Sequence, residues 1–200
     1  MSPAPYLRWN LGEAGIHVNL SDEPFHPDTR ALLEYGRAIA AGQSPPSIKA
    51  ADKMADRLFV IDGVADGRAN FLTFGGELIT LFKRDLRRTD LLDLLLAPDR
   101  AMMRALLSAI ASANQPGVAC GLAETEDGTR VGLEILATPL AKGVLSGERL
   151  LGLIQPLGGE GLLGERTIKR IRITSLYPPL ANEPREPMQR LRLVVNNNLN

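Results

Sequence analysis

Hydrophobic positions along the chain change their period several times, and each change predicts an element. Leu32, Leu33, Tyr35, Gly36, Ile39 and Ala40 recur at roughly helical spacing. His26-Pro27-Asp28 stands before them. Proline suits a first helical turn, and an acid suits the positive end of the helix dipole. An amphipathic helix is expected over 28–41, stopping near Gly42 ahead of Ser44-Pro45-Pro46. A shorter helical piece is expected within 48–57.

From Leu58 the period shortens. Leu58-Phe59-Val60-Ile61, closed by Asp62-Gly63, reads as a strand, and Asn70-Phe71-Leu72-Thr73-Phe74 as a second. Val64 to Arg68 between them fits a hairpin. Leu78, Ile79, Leu81 and Phe82 predict one or two helical turns, and Leu91 to Leu96 a further apolar segment. Pro98-Asp99 opens the clearest helix. It puts Met102, Met103, Leu106, Leu107 and Ile110 on one stripe and ends at Asn114-Gln115-Pro116-Gly117.

Two alternating runs come next, Val118, Cys120, Leu122 and then Val131, Leu133, Ile135. Asp127-Gly128 between them is a strong hairpin signal. With Leu150 to Leu157 they predict an antiparallel meander. Gly158 to Gly164 is a Gly-rich connector, and Ile168 to Thr174 alternates like a surface strand. The chain divides into an irregular leader (1–25), a helical segment (26–57), a core (58–157), and a connector, short strand and tail (158–200). The fold class is α+β.

Composition narrows the chemistry. Among 200 residues, 23 are Lys or Arg and 23 are Asp or Glu, so the formal charge is zero. Apolar residues make up 44%, as in an ordinary globular protein. Residues 151–200 carry seven basic and four acidic side chains, too small a lean to argue for nucleic acid. Cys120 is the one cysteine, which removes a disulfide framework and a cysteine zinc cluster. His17 and His26 are the two histidines, leaving little for histidine catalysis or metal binding. No metal site and no cofactor are expected.

Met1 to Tyr6 has neither a basic nor an apolar signal region, and no run approaches the roughly 18 apolar residues of a membrane span. With a free thiol, this predicts a cytoplasmic protein without membrane contact.

Three motifs compete with blander readings. Gly159-Glu160-Gly161-Leu162-Leu163-Gly164 matches G-x-G-x-x-G, but the alternation after it argues against the helix a dinucleotide site needs. It reads as a connector. Lys83-Arg84-Asp85-Leu86-Arg87-Arg88 is the densest basic cluster. Arg84, Arg87 and Arg88 could fork onto phosphate oxygens or a partner; the plainer reading is a solvated turn with Asp85 bonding locally. Phe74-Gly75-Gly76-Glu77-Leu78 faintly resembles the diguanylate cyclase signature, yet Leu78 stands where a second acid would be. It reads as a strand end turning sharply into a helix.

The order of elements, and the residues within it, resemble a stand-alone alphaproteobacterial PAS-domain family over about residues 26–175. The carrying residues are Leu32-Leu33-Glu34-Tyr35, Leu58 to Asp62 and Phe71-Leu72-Thr73-Phe74-Gly75. Further on they are Leu81-Phe82-Lys83-Arg84-Asp85-Leu86, Ala97-Pro98-Asp99-Arg100, the turn at Asp127-Gly128-Thr129, and Ile171 to Ser175. The chain departs from the family at Lys83, where glycine is usual, and at Tyr35-Gly36, where an aromatic pair is usual.

The resemblance implies a five-stranded antiparallel sheet with helices on one face, flanked by the N-terminal helix and the C-terminal strand and tail. It also implies a non-catalytic sensory or regulatory role. A flavin-adduct cysteine would need a helical setting, whereas Cys120 alternates on a strand and reads as a core cysteine. Histidine-ligated haem has no histidine after residue 26. The pocket of such a domain would be lined by Phe71, Leu78, Phe82, Met103, Leu107, Leu133, Ile135 and Leu153. A protein partner, and a homodimer through the 28–41 helix, are expected. The alternatives are a small-molecule or cyclic-dinucleotide sensor using Arg84, Arg87 and Arg88, and a degenerate cyclase-like enzyme using Glu77.

Overall fold

The computed structural model describes residues 25–46, 52–140, 149–158 and 166–179. Most of the expected leader, part of the expected 48–57 helix, the G-x-G-x-x-G stretch and the tail from 180 onward lie outside the described residues.

The first helix, α1, is Pro27–Ala40. Its start is built as the sequence predicts: Pro27 fills the first turn, and the Asp28 amide donates to Nδ1 of His26 at 3.2 Å. α2 is a single turn, Asp52–Ala55, and leads into β1, Leu58–Asp62. A 3-10 turn, Val64–Asp66, links β1 to β2, Asn70–Phe74. α3, Gly76–Phe82, follows at once. A second 3-10 turn, Leu91–Leu94, leads to α4, Ala97–Ala113. β3, Gly117–Thr125, β4, Arg130–Pro139, and β5, Leu150–Pro156, form the predicted meander. β6 is Ile168–Tyr177.

One sheet holds all six strands in the order β2-β1-β5-β4-β3-β6, and each neighbouring pair is antiparallel. The C-terminal strand expected beyond the meander thus becomes a sixth member of the sheet. Its outer edge is partly satisfied. The Leu96 amide donates to the Ile171 carbonyl at 2.9 Å, and the Ile173 amide donates to the buried Asp99 carboxylate at 2.9 Å. An edge capped this way is a poor template for unwanted strand pairing. At the other edge, the Phe71 amide donates to the Thr89 carbonyl.

The molecule has three layers. α3, both 3-10 turns and α4 cover one face, here called inner, and α1 covers the other, outer, face. The alternation of β4 shows both at once. Val131, Leu133, Ile135 and Ala137 belong to the inner core cluster, while Leu136 belongs to the cluster under α1. α4 presents Met103, Leu106, Leu107 and Ile110 inward, as its stripe predicts. Met102 does not follow: it is 41% exposed, one residue out of phase with Met103.

Candidate functional site

The inner core gathers seven of the eight residues expected to line a pocket. Phe71, Leu78, Phe82, Met103, Leu107, Leu133 and Ile135 are all buried in one cluster. Phe71 sits edge-on to Phe59 and Phe74, with ring centroids 5.4 and 6.1 Å apart, a favourable arrangement of ring quadrupoles. Leu153 is the correction. It lies opposite Leu136 in register and packs in the cluster under α1. Strand alternation is the reason: Leu150 and Ile154 face the inner core, so Leu153 faces out.

The basic cluster is a surface loop. Arg84, Arg87 and Arg88 are exposed. Asp85 does bond locally: its carboxylate accepts from the Arg87 amide at 2.9 Å and from Arg87 Nε at 2.7 Å. That amide bond is the chief reason its carboxyl is held below the usual range.

The outer face carries chemistry of another kind. α1 rises over β4 and β5. The His26 amide donates to both carboxylate oxygens of Glu134, at 3.3 and 3.2 Å, and ten residues later Gly36 lies on Thr138. α1 therefore tracks β4 from its polar middle to its end. A Cβ on Gly36 would collide with Oγ1 and Cβ of Thr138, so the helix can sit this close only because the residue is glycine. Leu32 and Leu33 bury their side chains beside Leu136, Val118 and Leu153. Phe25 extends the apolar contact edge-on to Tyr177, with ring centroids 4.9 Å apart.

A row of polar side chains runs beneath this helix. Ser175, Cys120, Glu134 and Gln155 stand opposite one another on β6, β3, β4 and β5. Glu134 and Gln155 are buried. Arg57, just before β1, extends the row: its Nη1 donates to Gln155 Oε1 at 2.6 Å and its Nε to Glu77 Oε2 at 2.9 Å. The Arg57 side chain is only 4% exposed, so this ion pair sits largely out of water. Cys120 is half-buried on the outer face rather than in the inner core. Burial pushes its thiol up, the neighbouring Glu134 charge adds to this, and a hydrogen bond from Ser175 opposes it. Such a thiol is a poor nucleophile.

Sequence reading passed over Arg57, Glu134 and Gln155. A polar residue between Leu133 and Ile135 reads as solvent-facing when one face of a sheet is taken to be wet. The signal present was the unbroken run Ile135-Leu136-Ala137, which marks a strand covered on both faces.

The topology is an antiparallel sheet with a crossover from β2 through the helices to β3, so that β1 and β5 lie side by side within it. The profile of a PAS-domain family matches residues 25–155. The chain belongs to this family. A search of curated proteins finds no match. The matched region begins at Phe25, so α1 belongs to it.

Gly36 and Lys83 each have a structural role in this PAS domain. Gly36 provides the close approach to Thr138. Lys83 takes the left-handed conformation (φ 49°) at the end of α3, the conformation a glycine adopts at least cost. PAS domains are in general sensory and regulatory rather than catalytic. Among the described residues, no group of three or more His, Cys, Asp or Glu could hold a metal ion, and no helix is long and apolar enough to cross a membrane.

Proposed function

We propose that this PAS domain is a non-catalytic regulatory module that acts through protein–protein contact, with α1 and the outer sheet face as its output surface. Its partner is a protein of a cytoplasmic signalling pathway, and a second copy of the chain joins it through α1. The supporting observation is the composition of the α1 interface. Among the described residues seven polar or charged side chains are buried, and five of them (Thr29, Arg57, Glu134, Thr138 and Gln155) lie on or reach this face. The Thr29 and Thr138 hydroxyls have no hydrogen-bond partner. Buried polar groups left unsatisfied weaken an interface against separation. A helix held this way is suited to release, and its release would bare Leu136, Val118 and Leu153 for a partner.

The homodimer is tested by sedimentation of the wild type and of Ile39→Asp, a partly exposed position of α1 outside the cluster beneath it. A concentration-dependent dimer abolished in the variant supports it; a wild-type monomer at every concentration overturns it. Binding of the native partner is tested by cross-linking from position 136 in cells. Specific capture lost in Leu153→Asp supports an outer-face output, and capture indifferent to that change overturns it.

The ligand-sensor reading keeps one observation in its favour. Arg84 and Arg88 are exposed on a loop with left-handed turns at Lys83 and Arg88, so their guanidinium groups are open to a phosphate or cyclic dinucleotide. A thermal shift with cyclic dinucleotides, lost in Arg84→Ala/Arg88→Ala, would raise it above the protein-partner reading. For the cyclase-like alternative, Glu77 is engaged by Arg57 rather than turned to a nucleotide-bound metal.

A further inference from the structure

The seat under α1 is specified position by position, and every copy of this chain carries the helix that fits it. At one end the buried Glu134 carboxylate accepts the His26 amide. Ten residues on, Gly36 meets Thr138, where a Cβ would strike the threonine side chain. Between them the buried Leu32 and Leu33 share one cluster with Leu136, Val118 and Leu153. A foreign helix would have to offer an N–H donor, two adjacent apolar residues and a glycine at the same spacing. The α1 of a second copy offers all of them. Release of α1 also bares Leu32 and Leu33, so the helix needs a cover as much as the sheet does. The connection behind α1 is long. Residues 41–51 separate the end of α1 from the start of α2, and Ala41 to Pro46 are exposed. Consecutive prolines such as Pro45-Pro46 favour extended backbone. Eleven extended residues reach about 36 Å, against the ~10 Å between packed layers. That is long enough to carry α1 off its own sheet and onto another.

We propose that the homodimer forms by exchange: α1 of each copy leaves its own sheet and takes the seat on the other. Glu134 then accepts the amide of the partner's His26, and Thr138 receives the partner's Gly36. The exchange is reciprocal and gives a closed two-fold dimer. It repeats the contacts that α1 makes within a single chain, so the new contributions come from the connection and from the surfaces where the two connections cross. Ile39, partly exposed in the last turn of α1, stands beside that crossing. The Thr29 and Thr138 hydroxyls, without partners while α1 is seated, gain water when it lifts, which eases the exchange. The inference rests on the dimer of the proposed function and states how it is built. A dimer whose helices only stack on one another would keep each α1 on its own sheet.

The test is disulfide trapping in the full chain carrying Cys120→Ser, Gly36→Cys and Thr138→Cys. A Cβ at position 36 lies 2.9 Å from the Thr138 Cβ, so a shift of about 1 Å brings the pair to disulfide spacing and turns the collision into a bond. The protein is oxidised at a concentration where sedimentation shows the dimer, then run on a denaturing gel without reductant. Exchange predicts a covalent dimer, and a link within single chains when the sample is diluted to monomer and re-equilibrated first. Links confined to single chains in the dimeric sample would overturn the exchange and leave the homodimer standing. A chain that is monomeric at every concentration would overturn both, so the two failures are separable. A second variant leaves the seat alone: Pro45→Gly/Pro46→Gly, in the exposed part of the connection. Freed of its extended bias, the connection folds back onto its own sheet more readily, and the dimer should weaken about tenfold in sedimentation. An unchanged dimerisation constant would overturn the exchange, because a stacked dimer takes no account of the connection.

Discussion

Leu133 and Leu136 sit three residues apart on one strand and are both inaccessible to solvent, yet they belong to different interiors. Around Leu133 the described residues form a cluster of twenty-eight buried hydrophobic side chains contributed by helices and strands alike. Around Leu136 the cluster has seven, and it shares its floor with Glu134, Gln155, Thr29 and Thr138. Burial depth is the same and chemistry is not. The inner face is a core in the ordinary sense, closed by apolar area and aromatic edges. The outer face is a covered surface, closed by one helix over a polar row. The difference teaches where the domain can change shape without unfolding: separation costs least where apolar area is small and polar groups gain hydrogen bonds from water on exposure.

The largest effects should separate the two interiors. Leu133→Ala should lower global stability by about 3–5 kcal/mol in urea unfolding, the range for a large cavity in a packed core. Leu136→Ala should cost only about 2–3 kcal/mol, with the loss concentrated in amide protection of α1. Equal costs, spread equally over the chain, would break the comparison.

Gly36→Ala is a test of sign. Helix propensity alone favours alanine by about 1 kcal/mol. The collision with Thr138 should outweigh this and destabilise by about 1–2 kcal/mol, as overpacking does. A stabilised variant would mean that α1 sits on the sheet more loosely than Gly36 implies. In the opposite direction, Thr138→Val removes a buried hydroxyl without a partner and keeps the shape. It should stabilise α1 by about 1 kcal/mol, read from the urea midpoint or from α1 exchange.

The smallest effect lies away from both faces, at the β3–β4 hairpin. The Asp127 carboxyl is held far below its ordinary range, first by the Thr125 hydroxyl at 2.5 Å, then by the Thr129 amide and by Arg166. Its folded value lies below its unfolded one. The stability it contributes is therefore present above the unfolded value near ~3.9 and is lost as pH falls below that. Asp127→Asn should lower stability slightly at neutral pH, where the charged carboxylate contributes, and flatten the acid limb of a stability-against-pH curve below about pH 4, with α1 exchange untouched.

Much of this fold could be read from hydrophobic period. α1, β1, β2, α4 and the meander follow from spacing, capping residues and Asp-Gly, because each of these is a local signal. The inner-core position of seven of the eight expected residues was legible for the same reason. Leu153 was misplaced because a strand apolar on both faces gives no phase, and Leu150 to Leu153 contains such a stretch. Met102 failed by one residue of helical phase. The polar row was not legible at all. Arg57, Glu134 and Gln155 lie 21 to 98 positions apart in sequence and meet only through strand register, which no local pattern carries. The role of Gly36 could be read only with Thr138 beside it.

The central claim is that the outer face opens on its own. Native-state hydrogen exchange across a series of low urea concentrations measures this directly. The account predicts that amides of α1 exchange through a partial opening of shallow urea dependence that leaves α4 and β4 protected, with Cys120 becoming reactive to thiol reagents in the same step. If α1 and α4 instead exchange together, with one free energy and one urea slope equal to those of global unfolding, α1 is part of the core and the account is contradicted.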